Sequence, residues 1–92
     1  MQILAGSEQR LRWTGTDFEP AADGDWVIRS LNYWQAQECI RAGDDLAQIQ
    51  ATLRAGLVSV PGVESVADWI AAPQMAYPLP LFTAIWAHSR GN

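Results

Sequence analysis

The chain has 92 residues and a net charge of −4, because six arginines stand against ten aspartates and glutamates, and it contains five tryptophans but no lysine. This length fits one domain, and 49% hydrophobic against 17% charged residues is too apolar for a disordered tail. The acidic balance argues against a general nucleic-acid binder, whose affinity rests on cationic contacts to phosphate. Cys39 is the only cysteine, which excludes an intramolecular disulfide.

Composition and the start of the chain predict a cytoplasmic protein. Residues 1–7 have no basic region and no apolar run of the length that a signal peptide needs. The most apolar stretch, residues 77–87, contains two prolines and is about half the length of a membrane-spanning helix. Fourteen alanines, with arginine at every cationic position, are typical of a GC-rich bacterial or phage genome. We therefore expect a bacterial or phage protein with no membrane contact.

Residues 1–22 predict a short β-hairpin followed by a loop. Residues 10–14 alternate polar and apolar side chains next to a Gly-Ser turn signal, which favours a hairpin with Leu11 and Trp13 on its buried face. A competing interpretation begins a helix at Ser7 and continues it through Trp13. The polar residues that follow are typical of a loop.

Residues 23–90 predict a helical region. Residues 26–42 contain no proline or glycine, and they follow Asp25, whose carboxylate is suited to cap a helix. We predict a first helix over this segment, ended by Gly43 in a left-handed conformation. Its apolar side chains form two stripes, as expected of a helix that packs on two sides.

The later helices carry their own boundary signals. In chain order, the boundary residues are Asp45 with Gln48, Gly56, Ser65, Pro73 and Pro80. The first pair has capping-box spacing, and the glycine closes the second helix. The serine caps a short third helix that a proline stops, and Pro80 is suited to begin a last helix, which runs from 81 to about 89. The predicted fold is mainly α, a single small domain of three to four helices with a short N-terminal hairpin.

No combination of residues predicts catalysis, a metal site or a cofactor. His88 is the only histidine, and together with Cys39 it cannot complete a structural zinc site. The carboxylate pairs at residues 23/25 and 44/45 lie where helices are predicted to begin, so capping accounts for them. We therefore expect a non-enzymatic protein without cofactor or metal.

The helix pair of residues 26–55 has an alternative interpretation as a helix-turn-helix in a nucleic-acid-binding regulator. Cys39, Gly43 and Ile49 have the spacing at which that motif places a small residue, a turn glycine and a core aliphatic. The second helix would, however, present two aspartates at its start and Arg54 as its only cation, which would repel phosphate. An ordinary corner between two helices is the better interpretation.

The abundance of aromatic residues is the main indication of function. Five tryptophans, two tyrosines and two phenylalanines exceed what the core of so small a domain easily covers. Trp, Tyr and Arg are enriched at protein-binding hot spots. We predict a protein-interaction module, a small accessory protein such as an inhibitor or an assembly factor, which binds a larger protein or a second copy of itself. The predicted partner-binding residues are Trp13, Tyr77, Phe82 and Trp86, with Trp34 as a further candidate; the competing interpretation is that these side chains only cover the other helices.

Overall fold

The computed structural model describes residues 7–90, which form four β-strands and four α-helices. In chain order these are β1 (Glu8–Trp13), β2 (Phe18–Pro20), β3 (Trp26–Arg29), α1 (Tyr33–Ile40), α2 (Asp45–Gly56), β4 (Leu57–Ser59), α3 (Val66–Ala71) and α4 (Pro78–Ser89). The strands make one antiparallel sheet in the order β2-β1-β3-β4. The fold is therefore α+β, and the prediction of a mainly α domain is wrong.

The N-terminal hairpin is present, and its first strand includes Leu11 and Trp13 as predicted, but its second strand and its turn are formed by other residues than the sequence indicated. β1 pairs with β2, so that Leu11 lies opposite Pro20 and Trp13 opposite Phe18. The turn is residues 14–17, where the backbone N–H of Thr14 donates to the carbonyl oxygen of Asp17 at 2.9 Å. The segment predicted as a loop thus includes the second strand of the hairpin, while the predicted turn around residue 6 lies outside the described residues.

The helix predicted over residues 26–42 is wrong for residues 26–32. Trp26–Arg29 is a strand that lies between β1 and β4, and its register shifts between Val27 and Ile28. Residues 26–28 are all buried, so this segment shows none of the alternation that marks a strand with one exposed face. A short apolar run of this kind does not distinguish a buried strand from a helix.

Helix α1 begins later, at a capping box that the sequence contains. The Asn32 Oδ1 atom accepts from the backbone N–H of Gln35 at 2.9 Å, and the Gln35 Oε1 atom accepts from the backbone N–H of Asn32 at 3.0 Å. These two hydrogen bonds satisfy amides that have no partner inside the helix. α1 is consequently only eight residues long.

The other helices agree with their local signals. α2 ends at Gly56 as predicted, although Asp44 rather than Asp45 caps its start, with a 2.9 Å hydrogen bond from the Ala47 backbone N–H. The Ser65 hydroxyl caps α3 as predicted. α4 begins at Pro78, two residues earlier than predicted, and ends at Ser89.

The hydrophobic core lies between the sheet and the helices. Leu11 of β1 and Ile28 of β3 belong to the same buried cluster as Leu53 of α2 and Leu81 and Ile85 of α4. α2 and α4 pack on each other, and α4 also contacts the sheet. The remaining helix faces therefore point away from this core, and the candidate binding surfaces are on them.

Gly24 provides a test of how closely the loop before β3 packs on β1. A Cβ atom at this position would collide with the Leu11 carbonyl group, which is backbone of β1. We expect Gly24→Ala to lower the free energy of unfolding by about 3 kcal/mol, which is the upper end of the range for overpacked sites. Urea denaturation measures this loss.

Gly15→Ala is the matched control. Its φ of 105° is unfavourable for alanine, but a Cβ atom there meets no atom within 4 Å. This change should cost only about 1–2 kcal/mol of backbone strain. Equal losses for the two variants would contradict the close packing of Gly24 on β1.

Candidate protein-binding surfaces

Tyr77 is at the centre of a partly buried aromatic cluster. Its ring centroid lies 4.8 Å from that of Trp26, 4.9 Å from that of Trp13, 6.1 Å from that of Phe18 and 6.2 Å from that of Trp69. We call these five residues the Tyr77 cluster. Most of the ring pairs are tilted or edge-on, the arrangements that aromatic quadrupoles favour.

The Tyr77 cluster connects parts of the chain that are distant in sequence. Trp13, Phe18 and Trp26 come from β1, β2 and β3, whereas Trp69 comes from α3 and Tyr77 immediately precedes α4. Two of the predicted partner-binding residues, Trp13 and Tyr77, are therefore brought together, but as half-buried members of an intramolecular contact. That they also contact a partner stays a prediction.

The other two predicted residues, Phe82 and Trp86, lie on α4 outside the Tyr77 cluster. Their ring centroids are 6.3 Å apart, and both side chains are half-buried. The Trp86 indole Nε1–H donates to the hydroxyl of Thr52 at 3.2 Å, and Thr52 is fully buried in α2. Trp86 thus contributes to the contact between α2 and α4.

The two tyrosines of the chain allow a matched test of the Tyr77 cluster. Tyr77→Ala removes the ring that all four other members contact, so we expect unfolding free energy to fall by about 3 kcal/mol. Tyr33→Ala removes an exposed ring on α1 and should change stability by less than about 0.5 kcal/mol. Chemical denaturation of both variants measures the difference, and similar losses would contradict the central position of Tyr77.

Two threonines allow the same comparison for the hydrogen bond of Trp86. Thr52→Val keeps the side-chain shape but leaves a half-buried indole N–H without its acceptor, so we expect a loss of about 1–2 kcal/mol. Thr83→Val removes an exposed hydroxyl that donates to the Leu79 carbonyl oxygen, and it should cost less than about 0.5 kcal/mol. Thermal unfolding that ranks Thr83→Val as the more damaging change would contradict this account.

An apolar groove lies between α2, the end of α3 and the start of α4. Its volume is about 300 Å³. Three of its apolar residues are exposed, with 73% of Leu46, 60% of Leu79 and 98% of Met75 accessible to solvent. The full lining is Leu46, Ile49, Gln50, Leu53, Ile70, Pro73, Met75, Pro78 and Leu79, and we call it the α2–α4 groove. This lining contains no charged side chain.

A second depression adjoins the α2–α4 groove at Ile49 and Leu79. It has a volume of about 380 Å³ and is lined by Asp45, Gln48, Ile49, Leu79 and Phe82. Ile49 and Leu79 belong to both depressions, so the two form a continuous surface along α2 and α4. Asp45 is the one ionisable residue in the combined lining. Among the predicted partner-binding residues, Phe82 is the one that lies on this surface.

The solvent-facing side of α1 carries the other exposed aromatic residues. Tyr33 and Trp34 are 66% and 73% exposed, and their ring centroids lie 5.1 Å apart at an angle of 81°. With Gln37, Glu38 and Arg41 they line a depression of about 430 Å³, which we call the α1 outer face. Cys39 is on the opposite side of the helix and is buried.

Three of the arginines outside α1 are engaged within the fold. Arg12 forms an exposed ion pair with Glu19 at 2.6 Å, and the hydrogen bond and charge of Glu19 raise the pKa of Arg12. Arg10 donates to the carbonyl oxygen of Gly24 at 3.0 Å, and Arg29 donates to that of Ala55 at 3.3 Å. These contacts leave few cations for a phosphate-binding surface.

Neither a metal site nor a membrane-spanning helix is found in residues 7–90. This part of the chain has no group of three or more His, Cys, Asp and Glu side chains that could hold a metal ion. No helix in it is long and apolar enough to cross a bilayer. His88 instead contacts the backbone carbonyl oxygen of Ser7 at 2.8 Å, next to β1.

Comparison with known proteins gives no relative for this chain. No protein-family model matches it, and neither the curated proteins nor the solved structures contain a match. The function is therefore inferred from the surfaces of the molecule.

Sequence reasoning missed Leu46, Met75 and Leu79 as binding candidates. Leu46 begins an apolar stripe with Ile49 and Leu53 at helical spacing, a pattern that is typical of a helix side facing the core. In the structure Leu53 is buried, Ile49 is half-buried and Leu46 is exposed. The sequence signal for the groove was thus an apolar stripe on α2 that extends beyond the hydrophobic core. The position of α4 shows where that core ends.

Proposed function

We propose that this protein is a non-enzymatic protein-interaction domain that binds a helical segment of another protein in the α2–α4 groove. The observation that carries the proposal is the exposure of Leu46, Met75 and Leu79 around one apolar groove. Contiguous exposed apolar surface on a small domain is typical of an interaction site. Methionine at the rim suits such a site, since its flexible side chain adapts to the surface that it contacts.

The shape of the surface supports a helical occupant. The two depressions that adjoin at Ile49 and Leu79 offer two neighbouring places for apolar side chains, and α2 and α4 form walls along both. An amphipathic helix presents apolar side chains three or four residues apart and commonly binds in such a groove. Leu79 would then lie between two successive anchors of the bound helix.

The charge of the surface defines the occupant further. Asp45 is at one end of the combined lining, and Asp44 precedes it as the cap of α2. An arginine or lysine beside the apolar anchors of the bound helix would pair with these carboxylates. We therefore expect the occupant to be a basic amphipathic helix. The cytoplasmic location and the bacterial or phage origin predicted from the sequence are part of this proposal.

The nucleic-acid-binding alternative has no structural observation in its favour. The helix pair of residues 26–55 begins with a strand rather than a helix, and α1 has only eight residues. The exposed start of α2 carries Asp44 and Asp45. We retain the protein-interaction proposal alone.

Selection of peptides tests both the site and the chemistry of its occupant. A displayed library of helical peptides is selected on the protein, and the affinity of an enriched peptide is measured by fluorescence anisotropy. We expect enriched sequences to share two apolar residues three or four positions apart and at least one arginine or lysine. Leu79→Glu should weaken binding at least tenfold, since it places a charge between the two depressions, a loss of about 1.4 kcal/mol or more.

Ile40→Glu is the matched control, because it also replaces an exposed aliphatic side chain on a helix with glutamate but lies outside the groove. It should change the affinity by less than about twofold, as expected for a site away from the contact. A library that yields no enriched peptide, or a peptide bound equally well by Leu79→Glu, would contradict the proposed function.

A further inference from the structure

The α1 outer face differs from the α2–α4 groove because its lining comes from a single helix. Tyr33, Trp34, Gln37 and Glu38 belong to α1, and Arg41 is the residue that ends it. The depression is therefore the space between rows of side chains on one helix surface. Such a space is filled by a row of side chains from another helix, which is how helices pack.

The side chains of the α1 outer face are complementary to one another. Trp34 presents an aromatic ring that is largely exposed, and Arg41 presents a cation that prefers aromatic faces and carboxylates. Glu38 presents a carboxylate, and Gln37 a side-chain amide. Within residues 7–90, the ion pair between Arg12 and Glu19 is the one salt bridge at 4 Å or less. Arg41 therefore has no carboxylate at that distance in this part of the chain. The α1 outer face thus carries both an aromatic ring and the cation that would stack on it, and both an amide and the carboxylate that would accept from it.

We propose that the α1 outer face is the contact surface of a symmetric homodimer, in which α1 of one subunit packs antiparallel to α1 of the other. In a two-fold symmetric contact, residue i of one subunit faces residue j of the other, and j faces i. An axis between Gln37 and Glu38 places Trp34 opposite the partner's Arg41 and Gln37 opposite the partner's Glu38. Both complementary pairs are formed at the same helix register.

The charges favour this register over a contact with an unrelated apolar helix. The partner's Arg41 would lie over the ring of Trp34, and Glu38 is one helical turn further along on the same side. A guanidinium can therefore stack on the indole and reach the carboxylate, and symmetry forms these contacts twice. A second copy of this chain supplies all of these groups without any further partner.

The short length of α1 sets the strength of the dimer. Eight residues of helix extend for about 12 Å, so the contact is smaller than the roughly 1,200 Å² at which stable interfaces begin. We expect a reversible dimer with a dissociation constant on the order of 100 μM, as in other small contacts. This inference goes beyond the proposed function, because none of the residues of the α2–α4 groove takes part in the dimer.

Sedimentation velocity over a concentration series up to about 1 mM, well above the expected dissociation constant, tests the proposal. The full chain should change from a 10.1 kDa monomer to a species of twice that mass. Trp34→Ala and Arg41→Glu should each weaken dimerisation at least tenfold. Arg54→Glu is the matched control, since it makes the same charge change at an exposed arginine of α2, and it should leave the dissociation constant within about twofold.

Residue-specific NMR shifts during dilution locate the contact independently of the variants. We expect concentration-dependent shifts at residues 33–42 and none at Leu46 or Leu79. A monomer at every concentration, or a dimer unaffected by both α1 variants, would overturn the dimer proposal. A dimer lost in Leu79→Glu but kept in Trp34→Ala would also overturn it, because self-association would then use the groove. Peptide binding to the groove is measured separately, so the proposed function can fail or hold on its own.

Discussion

The packing of Tyr77 among four other aromatic rings is the contact on which the arrangement of this domain depends. It joins the three strands at one end of the sheet to α3 and to the start of α4. Because each ring approaches Tyr77 from a different element, the loop before α4 is fixed relative to the sheet. The position of α4 then determines which side of α2 is covered and which is exposed. The α2–α4 groove is therefore a consequence of a contact made on another part of the molecule.

This arrangement changes what the aromatic composition means. Trp13, Trp26 and Trp69 belong to the Tyr77 cluster, and Trp86 donates a hydrogen bond to buried Thr52. Trp34 is the tryptophan with a largely exposed ring. Most of the aromatic residues thus pack against other side chains of the fold, and aliphatic side chains form much of the exposed apolar surface. We propose different occupants for the two surfaces, a basic helix for the groove and a second copy of the chain for the α1 outer face.

Local signals predicted the parts of the fold that local interactions determine. Gly56 and Ser65 mark helix ends in the structure as they do in the sequence. The strands depend on distant partners, because β3 lies between β1 and a strand near residue 58. Its apolar residues are buried on both sides, which removes the alternation that would have identified it. The capping box of Asn32 and Gln35 was present in the sequence and would have moved the start of α1 to its observed place.

The sequence predicted that the protein has an interaction surface, but it did not predict where most of that surface lies. The sequence indicated an interaction surface rich in hot-spot residues, and it named Trp34 among the candidates. It did not show which apolar residues are exposed, because exposure depends on how α4 lies against α2. Leu79 follows a proline and belongs to a strongly apolar segment, so its pattern is that of a core residue. Its exposure results from its position at the first turn of α4, beyond the end of the core.

One tryptophan, Trp34, is free at the surface, and the other four are engaged within the fold. Fluorine NMR of the protein labelled with 5-fluorotryptophan measures this directly, since each of the five tryptophans gives its own resonance. A soluble paramagnetic agent added to a dilute sample, in which the chain is monomeric, broadens each resonance according to its exposure. We expect the resonance of Trp34 to broaden far more than the other four. Broadening of Trp13 or Trp86 as strong as that of Trp34 would contradict it.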